Sequence, residues 1–107
     1  MAAEHSAIAF QTITIEQLAQ MLVHKDFVFV NVHIPYEGEI AQTDMFIAFD
    51  EIGQNLGLLP ADKSAPIVLY CRSGRMSEIA AGELSALGYT NISHVGGGMG
   101  EWAGSGR

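Results

Sequence analysis

Cysteine is almost missing from this 107-residue sequence, where Cys71 stands alone. A single thiol excludes an intramolecular disulfide, a Cys-x-x-Cys redox pair and a cysteine-based zinc site, so it is either inert or used. Histidine is sparse too. His5, His24, His33 and His94 are scattered with no short ligand spacing, and no metal is expected. Lysine and arginine together number 5 against 12 acidic residues, a net charge of −7 that argues against nucleic acid and anionic membranes as partners. No apolar run approaches the roughly 20 residues needed to cross a bilayer. Residues Met1 to Phe10 lack the basic and sustained apolar stretches of a secretory signal, which makes a cytoplasmic address the expectation.

What is present is enough for a core. Apolar residues make up 49% of the chain, and 107 residues can fold as one domain, 1–107, without disulfide or metal staples. No internal repeat or low-complexity segment interrupts it. Ala7 to Thr12, with Ile8 and Phe10 alternating, predicts a first strand. Thr14 and Gln17 have the spacing of a capping box ahead of a helix carrying Ile15, Leu18, Ala19 and Leu22 on one face. That helix should end near His24 or Lys25, with the basic residues complementing its C-terminus. Phe27 to Val32 reads as a central strand, apolar on both faces apart from Asn31. Met45 to Phe49 predicts a third strand, and Asp50 should cap a short helix running to about Leu58, ended by Pro60. After a polar connector, Ile67 to Tyr70 is too short for a helix and apolar throughout, as suits a strand buried in a parallel sheet. Asn91 to Val95 is the last strand. This alternation of strands and helices predicts an α/β fold with an open, mostly parallel sheet of about five strands and helices on both faces.

Chemistry concentrates at Cys71, which follows the Ile67–Tyr70 strand and precedes a helical stripe of Met76, Ile79, Ala80, Leu84 and Leu87, with Gly88 placed as a left-handed terminator. In a strand-loop-helix turn the loop amides and the helix N-terminus converge, leaving free donors and the positive end of the dipole at one point. Arg72 and Arg75 add cations, and Gly74 can supply a positive φ. An ordinary cysteine is only a few per cent thiolate at neutral pH, and such surroundings raise that fraction. A tenfold increase requires roughly 1.4 kcal/mol. The dipole contributes about 0.3 to 1 kcal/mol. Loop amides and arginines must supply the remainder.

The run Leu69-Tyr70-Cys71-Arg72-Ser73-Gly74-Arg75-Met76-Ser77, followed by Ala80-Ala81, Leu84, Leu87-Gly88-Tyr89, Val95-Gly96-Gly97 and Trp102, resembles the active-site half of a single-domain rhodanese. The resemblance is strong over about the C-terminal 40 residues and loose elsewhere. It implies a sulfurtransferase that takes sulfane sulfur from a small anionic donor such as thiosulfate. The sulfur would be held as a Cys71 persulfide and passed to cyanide, a thiol or a protein acceptor. On this reading Cys71 is catalytic, while Arg72, Ser73, Gly74, Arg75, Met76 and Ser77 bind substrate, and no metal or organic cofactor is required. Tyr70, Met76 and Met99 are expected to line the entrance. Rhodaneses usually carry Asp-Val-Arg where this sequence has Asn31-Val32-His33, so a charged pair is lost. Asn31 and His33 are candidates for support around the site, by hydrogen-bonding the adjacent loop; a catalytic role for His33 is the alternative. Glu37 and Glu39 are expected to face water; the alternative is that they face the site, where they would disfavour anionic donors.

Other classes fit less well. A cysteine phosphatase or arsenate reductase needs Cys-x5-Arg, and position 77 is serine, which removes the bidentate clamp on a phosphoryl group. Gly96-x-Gly98-x-Gly100 is not read as a nucleotide loop, because no helix of useful length and no acidic residue about 20 positions later fits before Arg107; a turn behind the active-site loop, anchored by Trp102, is expected instead. The alternative from another class is a catalytically weak rhodanese-like module that binds a protein partner or senses oxidants through Cys71.

Overall fold

The computed structural model describes residues 10–107. Five strands, β1 (Phe10–Ile13), β2 (Val28–Asn31), β3 (Met45–Phe46), β4 (Ile67–Tyr70) and β5 (Ile92–Val95), form one sheet in the order β1-β5-β4-β2-β3. Every adjacent pair is parallel. Three helices accompany them: α1 (Ile15–Val23), α2 (Arg75–Ala86) and α3 (Gly98–Gly104). The α/β architecture read from the sequence is therefore present, with all rather than most strands parallel. Residues 7–9 of the expected first strand lie outside the described residues.

Strand alternation divides the core into two layers. Ile67, Leu69 and Cys71 face Ala80, Ala81 and Leu84 of α2, together with Ile52 and Leu59. Val68 and Tyr70 face the other way, toward Ile15, Leu18 and Leu22 of α1, with Met99 and Trp102 from α3 packed at the edge. Complete burial of side chains like these contributes about 1.5–3 kcal/mol each. Both faces of β4 are thus covered, which explains why it reads as an unbroken apolar run.

Local capping follows the sequence at α1. Thr14 Oγ1 accepts the Gln17 N–H at 3.0 Å, and the Thr14 N–H donates to Gln17 Oε1 at 2.8 Å. The helix stops at Val23, and Lys25 does not serve its C-terminus; it pairs with Asp44 at 2.8 Å instead. The expected third strand is shortened. Ile47 N–H bonds Asn31 O and Phe49 N–H bonds the very next carbonyl, Val32 O, which breaks the regular spacing after Phe46. In place of a helix from Asp50 there are two 3₁₀ turns, Ile52–Gln54 and Leu56–Leu58, with no side-chain cap on either. Gly53, Asn55 and Gly57 fall within this short segment, and each disfavours a continuous helix. Ile52 and Leu59 still reach the core as the periodicity requires.

Candidate active site

The connection leaving β2 leads outward to β3, and the one leaving β4 leads back to β5. Neighbouring strands whose connections diverge open a crevice at their carboxyl ends, where open α/β sheets bind ligands. Cys71 is the first residue past β4, at that point.

The turn that holds it depends on two glycines. Gly74 has φ +107°, and a Cβ there would lie 2.1 Å from Gly96 O. Gly98 has φ +60°, and a Cβ would lie 2.4 Å from Cys71 O. Only glycine allows the β5–α3 turn to approach this closely. The approach brings the Met99 N–H to Cys71 O at 2.8 Å and the Gly100 N–H to Arg72 O at 2.9 Å. The glycine-rich segment thus runs directly behind the site, as the sequence suggested, although it opens a seven-residue helix that periodicity missed.

Gly74 is the N-cap of α2 and has no side chain with which to satisfy the first amides. The cysteine sulfur fills that position. Gly74 N–H and Ser77 N–H point to Cys71 Sγ from 3.0 and 3.4 Å, and Ser77 Oγ lies 3.6 Å away. Cys71 is only 1% exposed and belongs to the core layer on the α2 side. Two amide hydrogens are nevertheless aimed at the sulfur, which accepts from both.

The remaining loop residues divide between rim and interior. Arg72, Ser73 and Arg75 are exposed; Met76 packs partly against the core; Ser77 is fully buried. Tyr70 does not line the entrance. It is wholly buried on the opposite face, where its hydroxyl accepts the Ile40 N–H at 2.9 Å and sits 2.7 Å from Thr43 Oγ1. Met99 lines a groove of about 300 Å³ with Glu37, Arg72, Gly100 and Ala103.

Asn31 and His33 shape the loop after β2. Asn31 Oδ1 accepts the His33 N–H at 3.0 Å and Asn31 Nδ2 donates to Gly38 O at 2.9 Å. Neither hydrogen-bonds Cys71 among the described residues. Glu37 is exposed, as expected, and its Oε1 lies 3.2 Å from both Arg72 Nη1 and His33 Nε2. Glu39 accepts from the Tyr36 hydroxyl at 3.3 Å.

Two further residues join the site without having been singled out. His94 Nδ1 lies 2.9 Å from Ser77 Oγ, and His94 Nε2 lies 3.0 Å from Thr12 Oγ1. Burial holds the His94 imidazole below its ordinary pKa, partly opposed by the Glu78 carboxylate. The sequence signal was a histidine next to Val95 in a short strand whose buried ends are Ile92 and Val95. Among the described residues no three of His, Cys, Asp and Glu gather as a metal site would require.

The family model of the rhodanese-like domain matches residues 18–105. The chain belongs to that family, whose kind of chemistry is sulfur transfer. It is 32% identical over 89 residues to a tRNA uridine(34) hydroxylase of Erwinia tasmaniensis, covering 78% of this chain and 25% of that protein. The chain thus spans about a quarter of the length of this curated relative. A rhodanese-related protein of Thermoplasma volcanium superposes with a TM-score of 0.77 at 27% identity, over 91% of this chain and 94% of the other. A NAD-dependent persulfide reductase from A. fulgidus superposes with a TM-score of 0.70 at 26% identity, over 88% of this chain and 16% of that one.

Proposed function

We propose that the chain is one sulfurtransferase domain that carries sulfane sulfur on Cys71. The observation that supports this most is the aim of the Gly74 and Ser77 amide hydrogens at Sγ from 3.0 and 3.4 Å. Cys71 thiolate attacks the outer sulfur of a donor such as thiosulfate. A new S–S bond forms as the bond to the sulfite group breaks, sulfite leaves with the electron pair, and a Cys71 persulfide anion remains. A thiolate or cyanide then attacks the terminal sulfur, and Cys71 departs as thiolate. Cradle amides of residues 72–77 stabilise the anionic states. Arg72 and Arg75 orient an anionic donor, the Ser73 hydroxyl can add a donor at the rim, and Met99 borders the way in. No metal or organic cofactor enters either step.

The partners we assign are a small anionic sulfur donor and a thiol, cyanide or protein acceptor. The tRNA named for the hydroxylase belongs to a protein of which this chain matches 25%, and a net charge of −7 opposes a direct grip on RNA. A reducing cytoplasm would keep the single thiol free. A second reading, a partner-binding or oxidant-sensing module, draws on the Glu37 carboxylate, which sits 3.2 Å from Arg72 at the mouth and offsets its charge. Thiocyanate production from thiosulfate and cyanide separates the two. Turnover by the wild type that disappears in Cys71→Ser supports sulfur transfer, whereas no turnover by the wild type supports the binding module.

A further inference from the structure

A line of polar atoms leads from Cys71 through the protein to its surface. Cys71 Sγ is 3.6 Å from Ser77 Oγ, Ser77 Oγ is 2.9 Å from His94 Nδ1, and His94 Nε2 is 3.0 Å from Thr12 Oγ1. Cys71, Ser77 and His94 are buried, while Thr12 lies exposed on edge strand β1, where it is the register partner of His94. The line ends where water begins.

We propose that Ser77, His94 and Thr12 form a proton path that lets the enclosed Cys71 thiol lose and regain its proton through the sheet rather than through the substrate mouth. His94 and Thr12 are positioning residues, since both act through Ser77. The inference rests on the sulfur-transfer reading for its use, though not for its test.

One set of heavy-atom positions accommodates both ends of the step. In the thiol state Cys71 S–H donates to Ser77 Oγ, Ser77 O–H to His94 Nδ1, and His94 Nε2–H to Thr12 Oγ1. For the thiolate, each hydrogen bond reverses. The S–H bond breaks as its proton passes to Ser77 Oγ, the former Ser77 proton passes to His94 Nδ1, the Nε2 proton passes to Thr12 Oγ1, and the Thr12 hydroxyl proton leaves to water. One proton has reached solvent, and Ser77 now donates to the sulfur anion beside the Gly74 and Ser77 amides. Reprotonation runs the same line backward.

The surroundings suit a ring that changes tautomer. Ser77 and Glu78 face His94 from α2, Leu69 adjoins it from β4, and Thr12 and the Phe10 ring, 5.6 Å away edge-on, face it from β1. Glu78 is the charged member of this group, and Cys71 is the titratable group at the far end of the line. Burial keeps the ring neutral and able to accept a proton at Nδ1. Ser77 O–H has one competing acceptor, Gly74 O at 3.2 Å. With His94 absent, nothing returns the hydroxyl proton to the sulfur, and Ser77 would rest on Gly74.

The test follows His94 by long-range proton–nitrogen NMR while Cys71 is titrated and its thiolate absorbance recorded, in wild type and in Cys71→Ser. Expected is an Nδ1 that is bare in the thiol state and gains a proton as the thiolate appears, with no such change in Cys71→Ser. An Nδ1 that keeps one state across the wild-type titration, or changes equally in Cys71→Ser, overturns the path. A second arm measures iodoacetamide alkylation near neutral pH, with intact fold checked by circular dichroism. In His94→Gln the Ser77 hydroxyl rests on Gly74 O and no longer donates to the sulfur anion, which should slow alkylation about tenfold. Equal rates in a folded variant contradict the proposal. Neither arm uses a sulfur donor, so a protein that fails to load sulfur yet shows the coupled Nδ1 change refutes sulfur transfer alone.

Discussion

Glu37 Oε1 stands 3.2 Å from Arg72 Nη1 and 3.2 Å from His33 Nε2, so one carboxylate ties the loop after β2 to the loop after β4. The pair is half open to water, with the Arg72 side chain 65% exposed. Its charge nevertheless acts on whatever approaches Cys71.

Replacing Glu37 by Gln should therefore help an anionic donor. Exposed pairs of this kind are worth about 0.2–1 kcal/mol, which translates into a thiosulfate KM lower by up to about fivefold, with kcat little altered. The gain should shrink in high salt. A raised KM would mean that Glu37 positions Arg72 rather than offsetting it.

Arg75 begins α2 and is exposed at the rim. Arg75→Ala should raise the thiosulfate KM several-fold while shifting the unfolding midpoint little, because surface substitutions cost roughly 0.5 kcal/mol or less. Unchanged steady-state kinetics remove Arg75 from donor binding.

Gly74→Ala combines a left-handed φ of +107° with a Cβ 2.1 Å from Gly96 O, and backbone cannot give way as a flexible side chain does. Strain of about 1–3 kcal/mol is expected, with loss of the sulfur cradle. Gly57→Ala is the control, since nothing lies within 4 Å of its Cβ position and its φ is not left-handed. Urea unfolding of the two variants should show a large drop for the first and little change for the second.

Tyr70→Phe removes the acceptor for the buried Ile40 N–H, 2.9 Å from the hydroxyl. A stranded buried donor costs about 1–3 kcal/mol. Because Ile40 closes the loop carrying Glu37, faster amide exchange at Ile40 should accompany the loss of stability.

Stability should also depend on pH through His94. Its folded-state pKa is held below the ordinary value of 6.5 by burial, against the pull of Glu78. Above the ordinary value both folded and unfolded rings are neutral, and this contribution to stability is fully present. As pH falls below it, the unfolded chain takes up a proton that the folded chain refuses, so stability declines until the folded pKa is passed. Asp44 contributes only at lower pH; burial works to raise its pKa, but Lys25 and the Phe29 N–H outweigh that and keep it below 3.8. Urea midpoints measured between neutral pH and about pH 5 should fall in the wild type and fall less in His94→Gln. Parallel curves contradict the His94 assignment.

The parts legible in the sequence were those governed by local pattern. The bounds of β4, the capping box at Thr14 and the left-handed Gly88 ending α2 follow from periodicity and termination chemistry. Apolar spacing after Asp50 suggests one helix, but Gly53 and Gly57 break it into 3₁₀ turns. Nearness to Cys71 in sequence suggests that Tyr70 lines the entrance, yet alternation along β4 sends adjacent side chains to opposite faces. The Glu37 bridge and the Ser77–His94–Thr12 line join residues 35, 17 and 82 positions apart. Such pairings depend on strand order, which hydrophobic pattern alone does not specify.

Intact-mass spectrometry after incubation with thiosulfate and removal of excess donor tests the sulfur-carrying role of Cys71 most directly. The wild type should gain the mass of one sulfur atom, lose it on addition of cyanide, and the Cys71→Ser protein should gain nothing. A wild-type chain that remains at its original mass, with its thiol still open to alkylation, would contradict that role.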